Sequence, residues 1–149
     1  EKMGKRLPTD VEFLINEMVM GRCNHPDHTT ETKREHGFES EYLICSKCGE
    51  RFWDDELEYK WEKKKRPRDY LKKFVPRHCE DVIMARAVVR HLESDGWTQM
   101  LKVVNGKYQC TFRNRDSVIE GSFEVSEESA ICSAAEKLAR TRKSKGQSS

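Results

Sequence analysis

Apolar residues recur at helical spacing in three segments of this chain, separated by polar stretches. The first segment follows a typical helix start at Leu7-Pro8-Thr9-Asp10 and can end at Gly21. The second runs from His78 to Ser94, and the third opens at Ser126, which can cap a helix whose first turn is acidic. The three apolar stripes are Val11, Leu14, Ile15, Met18 and Val19; Val82, Ala85, Val89 and Leu92; and Ala130, Ile131, Ala134, Ala135 and Leu138. We therefore expect three amphipathic helices.

Alternating apolar and polar residues between the second and third helices predict a small sheet. Trp97 to Val104 and Lys107 to Arg113 flank Asn105-Gly106, the strongest short-range signal for a type I′ hairpin. A third strand is expected from Val118 to Val125, with Gly121 at a position that allows a bulge. The predicted fold class is α+β: a helix, a long insertion, a helix, a three-stranded antiparallel sheet and a C-terminal helix.

The insertion contains a cysteine knuckle, Cys45-Ser-Lys-Cys48-Gly49. Such a turn places both sulfurs within reach of one metal ion, at about 2.3 Å each, and the glycine can take positive φ at little cost. Upstream, Cys23 and His25 complete a candidate site, with Tyr42-Leu43-Ile44 as the strand leading into the knuckle. His28 is the alternative fourth ligand. Four protein ligands leave no position for water, so we expect a structural Zn²⁺.

Three other interpretations of the knuckle remain: a redox Cys-x-x-Cys motif, a disulfide, and unrelated thiols. A redox motif should follow a strand and open a helix, and the polar Gly49-Glu50-Arg51 stretch suits that poorly. Residues 21 to 53 also contain few apolar side chains. Metal binding would therefore couple directly to the folding of this segment.

The other three of the six cysteines are Cys79, Cys110 and Cys132. No apolar signal segment and no run long enough to span a bilayer is evident in the sequence, so we expect a reducing cytoplasm and no membrane partner. In that compartment these three cysteines are interpreted as small buried hydrophobic residues.

Positive charge is concentrated in one part of the chain. The net charge is only +2, but residues 60 to 78 hold nine Lys or Arg against two acids. Asp54 to Lys65 is predicted as a charged helix or arm that Pro67 closes. Two interpretations of this basic arm are equally consistent with the sequence. One is a solvated helix end, and the other is a surface that binds phosphates or an acidic protein. The candidate contacts are Trp61, Lys63, Lys64, Lys65, Arg66 and Arg68.

These features predict a division of the chain into a domain with an insertion. Residues 1–21 and 74–142 would form the α+β domain, and residues 22–73 the zinc-binding insertion with its basic arm. Residues 143–149 are rich in Gly, Ser and Lys and are expected to be a disordered tail.

Three segments resemble the phage ABA-sandwich domain family, whose members are small proteins of bacteriophages and prophages. They are the stretch Leu14-Ile-Asn-Glu-Met-Val-Met-Gly21, the helix from Asp81 to Leu92 with the following Gly96-Trp97, and Ser129-Ala-Ile-Cys-Ser-Ala-Ala135. The resemblance covers both ends of the chain, leaves the zinc motif as an addition, and supplies no catalytic residues.

The resemblance implies a phage protein in the cytoplasm of a bacterial host. There it would inhibit a defence component such as a CRISPR-Cas nuclease by binding it, in the manner of an anti-CRISPR protein. The alternatives are a nucleic-acid-binding module, because double-stranded-RNA-binding domains share the order helix, three strands, helix, and sequestration of a nucleotide signal. Against the RNA-binding alternative, the turn Ser126-Glu127-Glu128-Ser129 would repel phosphate where that family has lysines. No phosphate-cradling glycine loop or catalytic motif was found, so we do not expect an enzyme.

Overall fold

A computed structural model describes residues 7–35, 37–53 and 69–146 of the chain. The described elements are, in chain order, α1 (Asp10–Met18), β1 (His28–Glu35), β2 (Phe38–Cys45), β3 (Arg51–Trp53), a 3₁₀ helix (Tyr70–Phe74), α2 (Val82–Ser94), β4 (Thr98–Val104), β5 (Lys107–Arg113), β6 (Val118–Glu120) and α3 (Glu127–Ser144). They confirm the α+β class, with one three-stranded antiparallel sheet more than the sequence predicted.

The chain folds as two compact units. One contains Glu1–Arg22 and Pro76–Ser149, and we call it the α+β unit; the other contains Cys23–Val75, and we call it the insertion unit. In the part of the chain that the structure describes, no helix combines the length and apolar character needed to cross a bilayer.

The three α-helices of the α+β unit begin at side-chain caps. Thr9 and Glu12 form a reciprocal capping box at α1, and Ser126 Oγ accepts a hydrogen bond from the Ser129 N–H at α3, as its position in the sequence indicated. The predicted start of the central helix at His78 is wrong. Asp81 is the N-cap, because its Oδ1 accepts a hydrogen bond from the Met84 N–H at 2.9 Å, and the preceding residues form a turn.

The end of the last helix also differs from the prediction. Helix α3 continues to Ser144, so Lys143 and Ser144 are helical rather than part of a disordered tail. Basic residues in this last turn suit the negative end of the helix dipole, which stabilises the extra turn. The last three residues of the predicted tail lie outside the described part of the chain.

The predicted hairpin is confirmed. Asn105 and Gly106 have φ values of 53° and 76°, as a type I′ turn requires, and β4 pairs with β5 so that Val104 opposes Lys107. The third strand is shorter than predicted and ends at Glu120. Pairing with β5 resumes only at the Tyr108–Glu124 bridge, with one additional residue on the outer strand, which is the geometry of a bulge.

Helices α2 and α3 pack on one face of this second sheet, and α1 packs against α3. The buried cluster contains residues of all three helices together with Cys110, Phe112 and Ile119 of the sheet. Gly121 allows α3 to approach closely, because a Cβ atom at this position would lie 2.8 Å from the Ala134 backbone nitrogen. Helices of the same unit thus cover one face of the sheet, and among the described residues Met100, Lys102, Val104 and Arg113 on its other face, which we call the open face, are exposed.

The interpretation of Cys79 and Cys132 as independent buried thiols is wrong. They form a disulfide with a Cα–Cα distance of 5.9 Å, which joins α3 to the turn before α2. Their separation of 53 residues in the chain hides this proximity from sequence inspection. Cys110 is a buried thiol, as expected, and burial raises its pKa to about 11.

The insertion unit is built on the first sheet, in the order β1-β2-β3. Tyr42-Leu43-Ile44 lies in β2 and leads into the knuckle, as predicted. Its small core contains Leu43, Cys45, Phe52, Tyr70 and Leu71, with Cys23 and Phe74 packed against it. The Asp54 to Lys65 segment, predicted as a helix or arm, lies outside the described residues.

Candidate metal centre

Four side chains predicted as metal ligands converge in the insertion unit. One ligand atom from each of Cys23, His25, Cys45 and Cys48 lies within 4.8 Å of every other, and these residues could hold a metal ion. Cys45 and His25 are buried, with 1% and 7% of their surface exposed, while Cys48 lies at the surface. The cluster therefore lies at one edge of the core of the unit.

The knuckle is shaped by its backbone hydrogen bonds. Cys45 ends β2, and its carbonyl accepts a hydrogen bond from the Gly49 N–H at 2.9 Å, which closes the turn. Gly49 has a φ of +82°, a conformation that L side chains rarely adopt. The Glu50 N–H then points at Cys48 Sγ from 3.5 Å. This N–H contact stabilises negative charge on the sulfur, which favours the thiolate form that binds metals.

The Cys-x-His pair supplies the other two ligands of the cluster, and here too a backbone N–H lies close to a cysteine sulfur. The His25 N–H lies 3.3 Å from Cys23 Sγ, and His25 itself has a φ of 52°, which is uncommon for a residue with a Cβ atom. This conformation turns the imidazole inward. There the ring packs edge-on against Phe52, with a centroid distance of 5.3 Å and an interplanar angle of 80°.

Two distances between ligand atoms match those expected around a tetrahedral ion. Bond lengths of about 2.3 Å to sulfur and about 2.0 to 2.1 Å to nitrogen give tetrahedral edges of about 3.8 Å between two sulfurs and about 3.6 Å between sulfur and nitrogen. Cys23 Sγ lies 3.6 Å from Cys45 Sγ, and Cys48 Sγ lies 3.6 Å from His25 Nδ1. These two of the six distances match tetrahedral edges and the others are at most 4.8 Å, so three thiols and one imidazole could hold a metal ion here.

The two thiols of the knuckle differ in acidity. Burial raises the pKa of Cys45, but hydrogen bonds from the Cys48 backbone, the His25 side chain, the Lys47 backbone and the Cys23 side chain outweigh it and lower that pKa to about 6. Burial raises the pKa of Cys48 to about 11, and the adjacent thiols of Cys45 and Cys23 act in the same direction. Cys45 is thus the knuckle thiol that ionises more readily.

One residue of this site was not identified from the sequence. His25 directs Nδ1 toward the sulfurs, so its other ring nitrogen, Nε2, faces outward and lies 3.5 Å from Glu50 Oε1. A carboxylate at this position can fix the orientation of a metal-binding imidazole. Glu50 directly follows the knuckle glycine, and this position in the sequence could have indicated that its side chain lies close to the other metal ligands.

His28, the alternative fourth ligand, is not part of the cluster. His28 begins β1, where its backbone N–H donates to Asp27 Oδ1, and the converging cluster does not include its ring. The predicted partner contacts lie outside the described residues. Those contacts are Trp61, Lys63, Lys64, Lys65, Arg66 and Arg68.

No protein-family model matches the chain, and comparisons with curated proteins and with solved structures gave no significant match. The geometry of the four side chains therefore provides the main basis for a function.

Proposed function

We propose that the insertion unit is a zinc module in which Cys23, His25, Cys45 and Cys48 hold one structural Zn²⁺. The observation that carries this proposal is the spacing of the ligand atoms, with sulfur–sulfur and sulfur–nitrogen distances of 3.6 Å. Thiolates together with an imidazole form a donor set typical of zinc. Four protein ligands complete a tetrahedron, so the ion stabilises the fold and leaves no position for a reacting water.

The module supports binding rather than catalysis in this proposal. The hydrophobic core of the insertion unit is small, and metal binding supplies folding free energy where such a core is insufficient. A zinc module ordered in this way can present a surface to a partner. We accordingly propose that the protein is not an enzyme.

We further propose that the partner is a component of a bacterial anti-phage defence system, such as a CRISPR-Cas nuclease. Support comes from the resemblance to the phage ABA-sandwich family and from the basic arm, with its Trp61 and its Lys and Arg residues from 63 to 68. A nucleic acid bound through the same arm is the alternative.

The proposed compartment is the cytoplasm of the bacterial host, where such a partner is found. The disulfide between Cys79 and Cys132 bears against this assignment, because disulfides of cytoplasmic proteins are usually transient. Trapping thiols with an alkylating agent during cell lysis tests the compartment directly. A reduced pair in cells agrees with a cytoplasmic location, and an oxidised pair contradicts it.

The metal proposal is tested by elemental analysis of the purified protein and of Cys45→Ser. We expect one zinc per wild-type chain and loss of zinc in the variant, with unfolding of residues 23–75 while the α+β unit retains its hydrogen-exchange protection. Cys110→Ala, which removes a buried thiol outside the cluster, should keep the zinc. Stoichiometric zinc in Cys45→Ser would show that the ligands are assigned wrongly.

The partner proposal requires a separate experiment. Tagged protein is used to capture partners from a host lysate that contains a CRISPR-Cas system, and the captured proteins are identified by mass spectrometry. A stable complex with a defence nuclease, accompanied by loss of target-DNA loading or cleavage, is the expected result. Recovery of no defence protein under these conditions would count against the proposal while leaving the zinc module intact.

A further inference from the structure

The open face of the second sheet carries both exposed cations and exposed apolar side chains. Paired residues in an antiparallel sheet lie on the same face. Cys110 is buried and its partner Leu101 packs against the helical core, so the flanking pairs Met100–Thr111 and Lys102–Gln109 are on the opposite face. This outer face contains exposed cations at positions 102, 107 and 113. Between them lie Met100, Val104 and Val118, whose side chains are 57%, 45% and 55% exposed.

A pocket of about 320 Å³ opens on this face at the tip of the β4–β5 hairpin. Its walls are Val104, Asn105, Lys107 and Phe123. The Tyr108–Glu124 bridge positions Phe123: Glu124 shares the helix-covered face with Tyr108, so its neighbour Phe123 points to the open face. The Phe123 ring is 43% exposed and lies at the mouth of the hairpin with a lysine and an amide beside it.

The cations of this face lack acidic partners. Among the described residues no ion pair involves Lys102, Lys107 or Arg113, whereas Arg77, Arg86 and Arg140 are each paired with a carboxylate. Lys107 and Arg113 stand at opposite ends of β5, about 20 Å apart at the usual rise of a strand. The exposed Glu120, which pairs with Thr111 on the same face, offsets one of the three cations. The face remains net positive, and positive charge spread over this length attracts an extended anion.

We propose that the outer face of the second sheet is a nucleotide-binding site, with the base in the hairpin pocket and the phosphate at Lys107. The Phe123 ring stacks on the base, the Asn105 amide is the hydrogen-bonding group that meets its edge, and Val104 closes the apolar wall. Lys102 and Arg113 contact further phosphates when the nucleotide belongs to a single strand.

A nucleotide fits these observations better than an acidic peptide does. The pocket volume lies at the lower end of the range for small-molecule sites, which suits a single base. An acidic peptide would use the cations but would leave the exposed aromatic ring and the apolar wall without a function. Base stacking on an aromatic ring uses both, and it does not require a particular sequence.

The site lies within the α+β unit, and the metal centre lies in the insertion unit. It is tested with the full chain, using fluorescence anisotropy of a labelled 12-nucleotide single strand at two salt concentrations and competition by AMP. We expect Phe123→Ala to weaken binding at least about fivefold. Lys107→Ala should weaken binding of both probes and lower the slope of log affinity against log salt by about 0.7.

Matched controls separate this site from general charge effects. Phe123→Tyr keeps the ring and should bind like the wild type. Val125→Ala removes an apolar side chain that is 77% exposed and does not line the pocket, and Lys143→Ala removes an exposed cation from α3; both should leave affinity unchanged. If the oligonucleotide binds more tightly than AMP and Lys102→Ala weakens the oligonucleotide alone, the ligand is a strand. If AMP binds as tightly as the oligonucleotide and Lys102→Ala weakens neither, the ligand is a free nucleotide.

Three outcomes would overturn the proposal. The first is no binding of either probe at low salt. The second is binding that Phe123→Ala and Lys107→Ala leave unchanged, which would place the anion site elsewhere, for example on the basic arm. The third is displacement of the oligonucleotide by polyglutamate at equal charge concentration with no effect of Phe123→Ala, which would identify an acidic protein surface as the ligand.

Discussion

Nε2 of His25 lies 3.5 Å from Oε1 of Glu50, on the side of the imidazole opposite to the sulfurs. If Nδ1 binds the metal, this carboxylate accepts the remaining ring N–H and holds the imidazole in its binding orientation. The Glu50 side chain is 59% exposed, so water competes for the contact. The contribution of Glu50 to zinc affinity should therefore be measurable but limited.

We predict that Glu50→Ala lowers zinc affinity about tenfold, at the lower end of the range for groups that support a metal ligand. Competition with a chromophoric chelator at fixed pH measures the change. Asp69→Asn, which alters an exposed acid of the same unit away from the cluster, serves as the control and should leave affinity unchanged. Equal affinities for Glu50→Ala and the wild type would mean that the carboxylate does not orient His25.

Local signals in the sequence predicted those features that depend on neighbouring residues. Asn105 and Gly106 fixed the hairpin because few other residues adopt positive φ at both turn positions. Ser126 was recognised as a cap for the same kind of reason, since its side chain needs only the N–H three residues later. The knuckle cysteines are two residues apart, so their convergence follows from the turn itself.

Apart from the convergence of Cys23 and His25 with the knuckle, the features that depend on distant parts of the chain were not predicted. Strand β1 contains no apolar residue, and the periodicity that identifies strands is absent from it. Its order comes from pairing along all of β2 and from contacts such as the hydrogen bond of the Tyr42 hydroxyl to Glu31. The disulfide likewise required knowing that α3 passes the turn before α2.

We predict that the stability of the α+β unit falls as the pH decreases from about 6.5 to about 4. His78 is 2% exposed, and its Nε2 donates to Asn16 Oδ1 at 3.0 Å. Burial lowers its pKa from 6.5 to about 4, with Arg22 adding to the decrease, Glu12 opposing it and His91 adding to it. In this window the unfolded chain binds a proton that the folded protein excludes.

The stability linked to His78 is therefore fully present above pH 6.5 and is lost as the pH approaches 4, amounting to at most about 3 kcal/mol. Urea denaturation of the wild type and of His78→Gln at several pH values measures it. The variant should show a flatter pH dependence in this range. Parallel curves for the two proteins would mean that His78 titrates normally.

We predict that Gly121→Ala destabilises the α+β unit by about 1 to 3 kcal/mol, the usual cost of overpacking. The new Cβ atom would lie 2.8 Å from the backbone nitrogen of Ala134 and 3.0 Å from its Cα, and backbone atoms cannot turn aside as a side chain can. Chemical denaturation followed by circular dichroism measures the loss. Val125→Ala, at a highly exposed position on the same segment, should change stability by no more than about 0.5 kcal/mol.

The last prediction concerns the disulfide between Cys79 and Cys132. It closes a loop of 53 residues, for which constraint of the unfolded chain gives up to about 4 kcal/mol of stability. Cys132→Ser should therefore destabilise the α+β unit by about 2 to 4 kcal/mol. Reduction of the wild type by a phosphine in the presence of excess zinc should cause a similar loss, measured as a shift in the urea midpoint. The same reductant should have no effect on Cys132→Ser, which serves as the control.

Alkylation of the denatured, metal-free protein should label four cysteines before reduction and six afterwards. Six labels before reduction would contradict the disulfide and restore the interpretation of both residues as buried thiols.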